Sequence, residues 1–377
     1  MNLTKYKLGD LIVQRREKNN NYDVPIRGVS KEGFIPAKQK DADTSIYNVF
    51  YKYDFVFNPA RMELNSIALN LEYDKALCSS LYEVFYVKDE SIVLPEFLNL
   101  HIKRDEFARH CDYIGLGSAR EYCRYANIAE FDIELPPIEV QEEIVEADRL
   151  IKKRIRLNNQ MIQHLEATAQ ALYHKTFVDN IDKENLPEGW RMGTLEDLGE
   201  IIGGATPSTN NPNLWCDNGI SWLSPADLSK KSCKFISKGA KDITELGYNS
   251  CSTKLLPKGS ILFSSRAPIG LMAIATKELC TNQGFKSIVP QKDYGSEYVY
   301  YYLLSIKDKI AEENTGSTFD EVSGQTMKEY PAVLPSKQVT DKFSELMRPI
   351  LYNQFIKEQE SEKLTELQSL LLAKMGQ

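Results

Sequence analysis

The chain has 377 residues, of which 42% are hydrophobic and 26% are charged, as in globular proteins of two or three domains. Its net charge of −7 argues mildly against a protein that coats nucleic acid through charge alone, and no segment is a basic or acidic tail. The opening residues lack an apolar signal core, and no run approaches about 18 apolar residues. We therefore expect a cytoplasmic protein without a membrane span.

Catalytic and metal-binding motifs are absent from the sequence. The seven cysteines include no C-x-x-C pair, which favours free thiols over a zinc site or a disulfide framework. The four histidines all precede residue 175, and no Walker A, H-E-x-x-H or G-x-S-x-G motif occurs. We expect no catalytic residue, no metal site and structural or surface histidines.

The first segment, residues 1–137, reads as a globular block. The Tyr-, Phe- and Val-rich run at 45–59 predicts strands, and residues 94–110 have helical spacing. Together they predict a mixed α+β domain, which we call the first block.

Residues 138–182 follow as a predicted long helix. Pro136 and Pro137 mark its upstream limit, because proline is tolerated only in the first turn of a helix. From Ile151 the apolar positions alternate at spacings of four and three, as in a coiled-coil seam, with Asn158 on the seam and Asp148 interrupting it. About 40 residues predict a helix of roughly 60 Å.

Residues 183–335 and 336–377 repeat this organisation as a second block and a second helix, predicted over about 337–374. Aligning Leu135 with Leu334 gives an offset of 199 that holds without a gap from residue 117 to 175. The front of each half echoes more loosely, with Tyr6 aligned to Trp190 and Phe55 to Ile261. The strand-rich run at 259–276 and the helical run at 296–314 complete the second block. The chain therefore contains a tandem duplication.

The two helices predict an antiparallel pair. The second helix is apolar at both ends and polar around Lys357, and antiparallel pairing would bring this polar middle opposite Asn158 and fix the helix register. The alternative is that each helix packs on its own block. Pairing would give a pseudo-two-fold arrangement like that of a dimer, which suits duplex DNA with two half-sites but also suits a protein adaptor.

Three partial motifs fail as enzyme sites. Gly115 to Arg120 lacks the third glycine of a dinucleotide-binding loop. Phe57 to Arg61 lacks the second proline and the aromatic residue of the Asn-Pro-Pro-aromatic motif of amino-methyltransferases. Pro225 to Asp227 lacks the second carboxylate set that a metal-dependent nuclease needs.

Small, polar and basic residues recur in the loops of both blocks. Glycine permits close backbone approach, hydroxyls and amides contact phosphates, and Arg or Gln can read base edges, although ordinary turn chemistry also favours these residue types. The candidates for DNA contact are Arg27, Lys31, Asn58, Arg61, Ser118, Arg120, Thr206, Ser208, Ser264, Arg266, Gln283, Lys286 and Ser317.

Several phrases make the chain similar to the specificity subunits of type I restriction–modification systems. They are Leu-Pro-Pro before the first helix, Leu-Asn-Asn-Gln at 157–160, Ala-Gln-Ala-Leu at 169–172, Gly-Gly-x-Thr-Pro-Ser at 203–208, Ser-Arg-Ala at 265–267 and Thr-Gly-Ser at 315–317. The resemblance covers essentially the whole chain and is weaker in the first block. Ser336 replaces the second proline of the repeat.

This resemblance implies two target recognition domains that read the halves of a bipartite, asymmetric site on double-stranded DNA. It implies that the helices set the spacer and dock two methyltransferase subunits, which bind S-adenosylmethionine and methylate adenine. Separate restriction and translocase subunits would cut the DNA, and this chain would hold no cofactor. The rival interpretations are a coiled-coil adaptor that binds only protein and, disfavoured by the missing motifs, a self-sufficient methyltransferase or nuclease.

Overall fold

The computed structural model describes residues 3–31, 33–37, 43–115, 122–179, 181–182, 184–230, 233–314 and 321–375. The chain divides into two compact units. Unit 1 comprises Met1–Ile155 with Lys363–Gln377, and unit 2 comprises Arg156–Glu362. Both unit boundaries lie inside long helices, so each unit holds one block together with a part of each helix. Our four segments (1–137, 138–182, 183–335 and 336–377) describe chain order, whereas the compact units cut across them.

Unit 1 is a mixed α+β fold, as expected for the first block. Its strands are Thr4–Lys7 (β1), Ile12–Arg15 (β2), Arg27–Ser30 (β3), Gly33–Pro36 (β4), Asn48–Tyr51 (β5), Phe55–Phe57 (β6), Ile67–Leu69 (β7), Lys75–Cys78 (β8), Glu83–Val87 (β9) and Asp132–Leu135 (β10). Its helices are Leu8–Leu11 (α1), Pro95–Ile102 (α2), Asp105–Gly115 (α3) and Tyr125–Ala129 (α4), followed by the start of Ile138–Phe177 (α5). Short 3-10 helices span Thr44–Ile46 and Pro59–Leu64.

The main sheet of unit 1 has the strand order β2-β9-β6-β7 and is covered on both faces. Successive strand residues point to opposite faces. Phe55 and Phe57 therefore pack in one core with α2 and α3, whereas Val56 packs in a second core with Phe50 and Val84. The predicted helix at 94–110 is divided into α2 and α3 by a turn at 103–104.

Unit 2 contains the second block. Its strands are Arg191–Thr194 (β11), Gly199–Gly203 (β12), Trp215–Cys216 (β13), Ile220–Leu223 (β14), Phe235–Ile236 (β15), Lys241–Ile243 (β16), Ile261–Phe263 (β17), Met272–Ala275 (β18), Cys280–Thr281 (β19), Lys286–Pro290 (β20) and Pro331–Leu334 (β21). Its helices are Leu195–Leu198 (α6), Pro225–Lys230 (α7), Glu245–Asn249 (α8), Gly295–Asn314 (α9), Gly324–Glu329 (α10) and most of Lys337–Lys374 (α11), with a 3-10 helix at Pro212–Leu214.

The main sheet and the pairing of the first and last strands recur in both blocks, which confirms the duplication, whereas the smaller sheets differ. In the second block the order β12-β20-β17-β18 repeats β2-β9-β6-β7, with β15 added at the edge. The first and last strands of each block also pair, β1 with β10 and β11 with β21. This pairing sets Thr4 opposite Leu135 and Arg191 opposite Leu334. Our alignment of Tyr6 with Trp190 was therefore wrong by three residues, because the equivalent of Leu8 is Leu195.

The long helices are α5 (Ile138–Phe177) and α11 (Lys337–Lys374), and α5 begins directly after the two prolines. In unit 1 the start of α5, at Ile144 and Val145, packs on the core of the first block together with Met375, just beyond α11. In unit 2 the end of α5, including Tyr173, lies in the same core as Phe343. The alternative in which each helix packs only on its own block is therefore wrong.

Polar residues join the paired helices within each unit. In unit 2, Asn158 is 2% exposed, and its Nδ2 donates to Ser361 Oγ at 3.4 Å. Gln354 Nε2 donates to Glu166 at 2.9 Å, so the order of partners is antiparallel as predicted. In unit 1, Gln368 donates to Asp148 at 2.7 Å. Asp148 is 6% exposed and therefore belongs to the buried stripe that we expected it to interrupt.

Among the described helices, none is long and apolar enough to cross a membrane.

Candidate nucleic-acid interface

Four loops of the second block meet in one place, which we call the loop cluster: residues 203–208, 264–268, 281–286 and 321–323. Backbone hydrogen bonds join them. Ala205 N donates to Thr281 O at 3.0 Å, Ser265 N to Gly284 O at 2.8 Å, and Val322 N to Ser265 O at 2.9 Å. The structure thus brings together candidate residues that lie far apart in the sequence.

Gly204 allows the first of these loops to approach the third. A Cβ atom at this position would lie 2.1 Å from the carbonyl oxygen of Thr281 and 2.3 Å from that of Asn282. Those atoms are backbone and cannot move aside cheaply, so a side chain at residue 204 would push the two loops apart. Close packing of the two loops therefore requires glycine at position 204.

Thr206 and Gln283 form a polar pair between these two loops. The Thr206 hydroxyl donates to Gln283 Oε1, and the Gln283 side chain is exposed. A glutamine amide can bond adenine N6 and N7 together when its plane is held. The threonine supplies such a restraint by fixing the carbonyl end of the amide.

Arg266 and Lys286 share one carboxylate. Arg266 Nη2 lies 3.0 Å from Glu321 Oε2, and Lys286 Nζ lies 3.5 Å from Glu321 Oε1. The hydrogen bond from Arg266 is the main reason that the pKa of Glu321 lies below its usual range, and it outweighs the effect of burial. Glu321 was absent from our candidates, since no local motif marks a residue whose partner Lys286 is 35 positions away.

Ser264 is corrected from a DNA-contact candidate to a structural residue. Its side chain is fully buried, its Oγ donates to Pro268 O at 2.7 Å, and it accepts from Leu271 N at 2.8 Å. Both functions of the hydroxyl are thus used within the turn. Hydroxyl residues that follow a buried strand often satisfy the backbone in this way.

Two tryptophans beside the loop cluster were missed by the sequence analysis. Trp222 Nε1 donates to Ala205 O at 3.0 Å, and Trp215 Nε1 donates to the carbonyl oxygen of the exposed candidate Ser208 at 3.1 Å. Their rings meet edge to face at 5.0 Å, and Lys241 Nζ lies 5.6 Å from the Trp215 ring centroid. The sequence did hold a signal for them, because two of its three tryptophans lie just after a Gly-, Ser- and Pro-rich loop.

In the first block, Arg27, Asn58 and Arg61 line a cavity of about 480 Å³. Arg27 Nε donates to the Tyr73 hydroxyl at 2.8 Å, and Arg61 is exposed. The Asn58 side-chain oxygen has a structural role, because it accepts a hydrogen bond from Ala60 N at 3.1 Å and caps the short helix at 59–64.

The other candidates of the first block lie apart from this cavity or outside the described chain. Lys31 is exposed in a turn and does not line the cavity. Ser118 and Arg120, like Ser317 in the second block, lie outside the described residues.

The two residues predicted to fix the helix register, Asn158 and Lys357, have different kinds of partner. Asn158 meets Ser361, whereas Lys357 pairs with Glu360 of its own helix, Nζ to Oε2 at 2.8 Å. A polar cluster with more hydrogen bonds lies in unit 2 around Lys234. Its Nζ donates to Glu166 of α5, to the Tyr301 hydroxyl at 2.7 Å and to Gln354 Oε1 of α11 at 3.0 Å.

The Lys234 cluster is buried and charged. The Lys234 side chain is 9% exposed, and burial lowers the pKa of its amine. Burial opposes ionisation of Glu166, but Lys234 outweighs it and lowers the pKa of that carboxyl. Glu358 of α11 accepts from the backbone N–H groups of Lys234 and Phe235 at 3.0 and 3.1 Å. These contacts tie the second block to both helices.

Asp227 of one failed motif and the histidine His101 have structural roles, whereas residues 116–120 of another failed motif lie outside the described residues. Asp227 accepts from Ser224 N at 2.8 Å and from Ala240 N at 2.9 Å, so its carboxylate holds a turn. His101 is buried, which lowers its pKa to about 4. Within the described ranges, no group of three or more His, Cys, Asp or Glu residues is placed to hold a metal ion.

Comparison with known proteins identifies the family. A family model described as "Type I restriction modification DNA specificity domain" matches residues 3–167 and 187–366, one match in each half of the repeat. The MjaIX specificity subunit of Methanocaldococcus jannaschii is 39% identical over 168 residues, which cover 44% of this chain and 39% of that protein. The HindI specificity subunit of Haemophilus influenzae is 24% identical over 357 residues, covering 76% and 77%.

A solved structure has the same fold. The S subunit of a type I restriction–modification system from M. genitalium gives a TM-score of 0.64 at 14% identity, covering 99% of this chain and 96% of that one. The relatives are named as specificity subunits, in agreement with the predicted non-catalytic role. Since the family model matches both halves, the chain belongs to the family of type I restriction–modification DNA specificity proteins.

Proposed function

We propose that this chain reads a bipartite, asymmetric site on duplex DNA, one half with each block, and docks two methyltransferase subunits. The observation that carries the proposal is that the main sheet and the terminal strand pair occur in both blocks, with different side chains in the loops. The second block presents Thr206, Gln283 and Arg266, whereas the first presents Arg27 and Arg61. Base edges are distinguished by the donors and acceptors that meet them, so unlike loops recognise unlike half-sites.

The partners complete the activity in this proposal. S-adenosylmethionine binds to the methyltransferase subunits rather than to this chain, and those subunits methylate adenine. Restriction and translocase subunits join the same complex. The methyltransferase subunits also supply part of the positive charge around the duplex, which offsets the net charge of −7 on this chain.

Arg266→Ala tests DNA reading by the second block. We expect affinity of the methyltransferase complex for its own motif to fall about 5- to 150-fold, the range for one lost bidentate base contact. Fluorescence anisotropy at physiological salt measures it. Lys254→Ala is the matched control, because Lys254 is an exposed cation of the same block whose ion pair with Glu200 spans 3.7 Å. Equal affinities for Arg266→Ala and wild type would remove Arg266 from the interface.

Docking of the methyltransferase is assigned to apolar side chains that the helices leave exposed in unit 2. Leu157 and Met161 of α5 are 45% and 49% exposed, and Tyr352 of α11 is 64% exposed. We expect Leu157→Glu with Met161→Glu to abolish co-purification with the methyltransferase without loss of folding. Leu246→Glu is the control, at a residue of the second block that is 60% exposed. Retained co-purification of the double variant would place the docking surface elsewhere.

A coiled-coil adaptor that binds only protein is the competing function. The complex of this chain with its methyltransferase would then show no preference among duplex sequences. A binding series over duplexes of different sequence separates the two functions directly.

A further inference from the structure

The triad of Arg266, Lys286 and Glu321 is a poor phosphate clamp. Two cations beside a duplex would bind its backbone through charge. Here Glu321 lies against both of them, at 3.0 and 3.5 Å, and cancels one of their two charges. A carboxylate at this range also repels phosphate oxygens. Glu321 therefore weakens the attraction of this triad to the phosphate backbone of DNA, and its presence calls for a different explanation.

That explanation is a fixed orientation of the Arg266 guanidinium. Arg266 and Glu321 are joined by a backbone bridge as well as by their ion pair. A guanidinium is a planar fork of five N–H groups, and Glu321 engages it at Nη2. The Arg266 side chain is 48% exposed, so the pairing with Glu321 does not bury it. A held fork of this kind matches guanine O6 and N7, which accept two parallel hydrogen bonds.

The adjacent polar pair has the same design. Gln283 precedes Gly284, whose carbonyl accepts from Ser265, the residue before Arg266. Thr206 fixes the Gln283 amide as Glu321 fixes the Arg266 guanidinium. Two neighbouring side chains that are able to read base edges are thus each restrained by a partner from another loop, as precise recognition requires.

We propose that Glu321 is a specificity-determining positioning residue of the second block, which holds Arg266 for recognition of guanine in a G·C pair and keeps phosphate away from it. The inference rests on the proposed function and adds to it the base that is read and the residue that enforces the choice. Glu321 itself acts through Arg266.

Glu321→Gln tests the inference in the complex of this chain with its methyltransferase. The probes are the methylated motif, its single-base-pair variants across the second half-site, and a scrambled duplex, each titrated at several salt concentrations. We expect discrimination at one G·C pair to fall about 5- to 150-fold. The scrambled duplex should bind more tightly, with a salt slope steeper by up to about 1. A merely structural role would weaken binding to every duplex alike.

Arg266→Lys is the second variant, because it keeps the charge and loses the fork. We expect the same loss at the same G·C pair, with binding to the scrambled duplex changed less than about twofold. Full discrimination in either variant, weaker binding of Glu321→Gln to the scrambled duplex, or a second half-site without a G·C pair overturns the inference. A wild-type complex that binds scrambled duplex and motif equally overturns the proposed function itself, and this inference with it.

Discussion

Replacing Lys234 with methionine is expected to destabilise unit 2 by about 3–5 kcal/mol, the usual cost of removing one partner from a buried ion pair. Methionine fills similar volume but leaves the partly buried Glu166 carboxylate without its cation, and it removes one hydrogen-bond partner each from Tyr301 and Gln354. Urea unfolding measures the loss. All three tryptophans, Trp190 among them, lie in unit 2, so tryptophan fluorescence follows that unit alone.

The control for this variant is Lys254→Met. Lys254 and Glu200 form an ion pair whose side chains are 64% and 67% exposed, respectively. Surface pairs of this kind add little stability. We expect its unfolding midpoint to match that of the wild type. Equal midpoints for Lys234→Met and Lys254→Met would show that the Lys234 cluster does not hold the second block to the helices.

A heptad inserted into both long helices is expected to change the DNA spacer without changing either half-site. The insertions follow Ile155 in α5 and Glu362 in α11, where the chain passes from one compact unit to the other. Seven residues keep the phase of the seam and add about 10 Å of helix. We therefore expect a preferred spacer longer by about one to three base pairs.

Methylome sequencing reads this change directly. The control inserts two heptads of a different sequence at the same points, and it should lengthen the spacer by the same amount, because added length and not added sequence sets the distance. Unchanged spacing in the lengthened chain would show that the helices do not measure the distance between half-sites.

The repeat could be predicted from the sequence because short motifs recur in both halves at a constant offset. The gap-free offset between the Leu-Pro landmarks located both long helices. The weaker sequence similarity at the front of each half had no such fixed landmark. Only the β1–β10 and β11–β21 pairings gave the correct alignment there.

The polar interior was not predictable in the same way. Asp148 broke an apolar stripe in the sequence, but its partner Gln368 is 220 residues away, so its place on the stripe could not be seen. Lys234 likewise reads as an ordinary surface lysine, since its partners Glu166 and Gln354 are 68 and 120 residues distant. Ionic contacts over such separations leave no periodic trace.

The loop candidates show the limit of residue type as a guide. Arg266 and Ser264 are two residues apart and both suit DNA contact by chemistry, yet one side chain is half exposed and the other is fully buried. Both residues lie beyond the end of β17, and the turn that follows the strand uses the Ser264 hydroxyl within the fold while it leaves Arg266 half exposed.

The most direct test of the central claim is methylome sequencing of a host that carries the methyltransferase partner with and without this chain. The account predicts methyladenine in one bipartite, asymmetric motif, present only when the chain is expressed. Methylation of the same positions without the chain, or the absence of any motif that depends on it, would contradict the account.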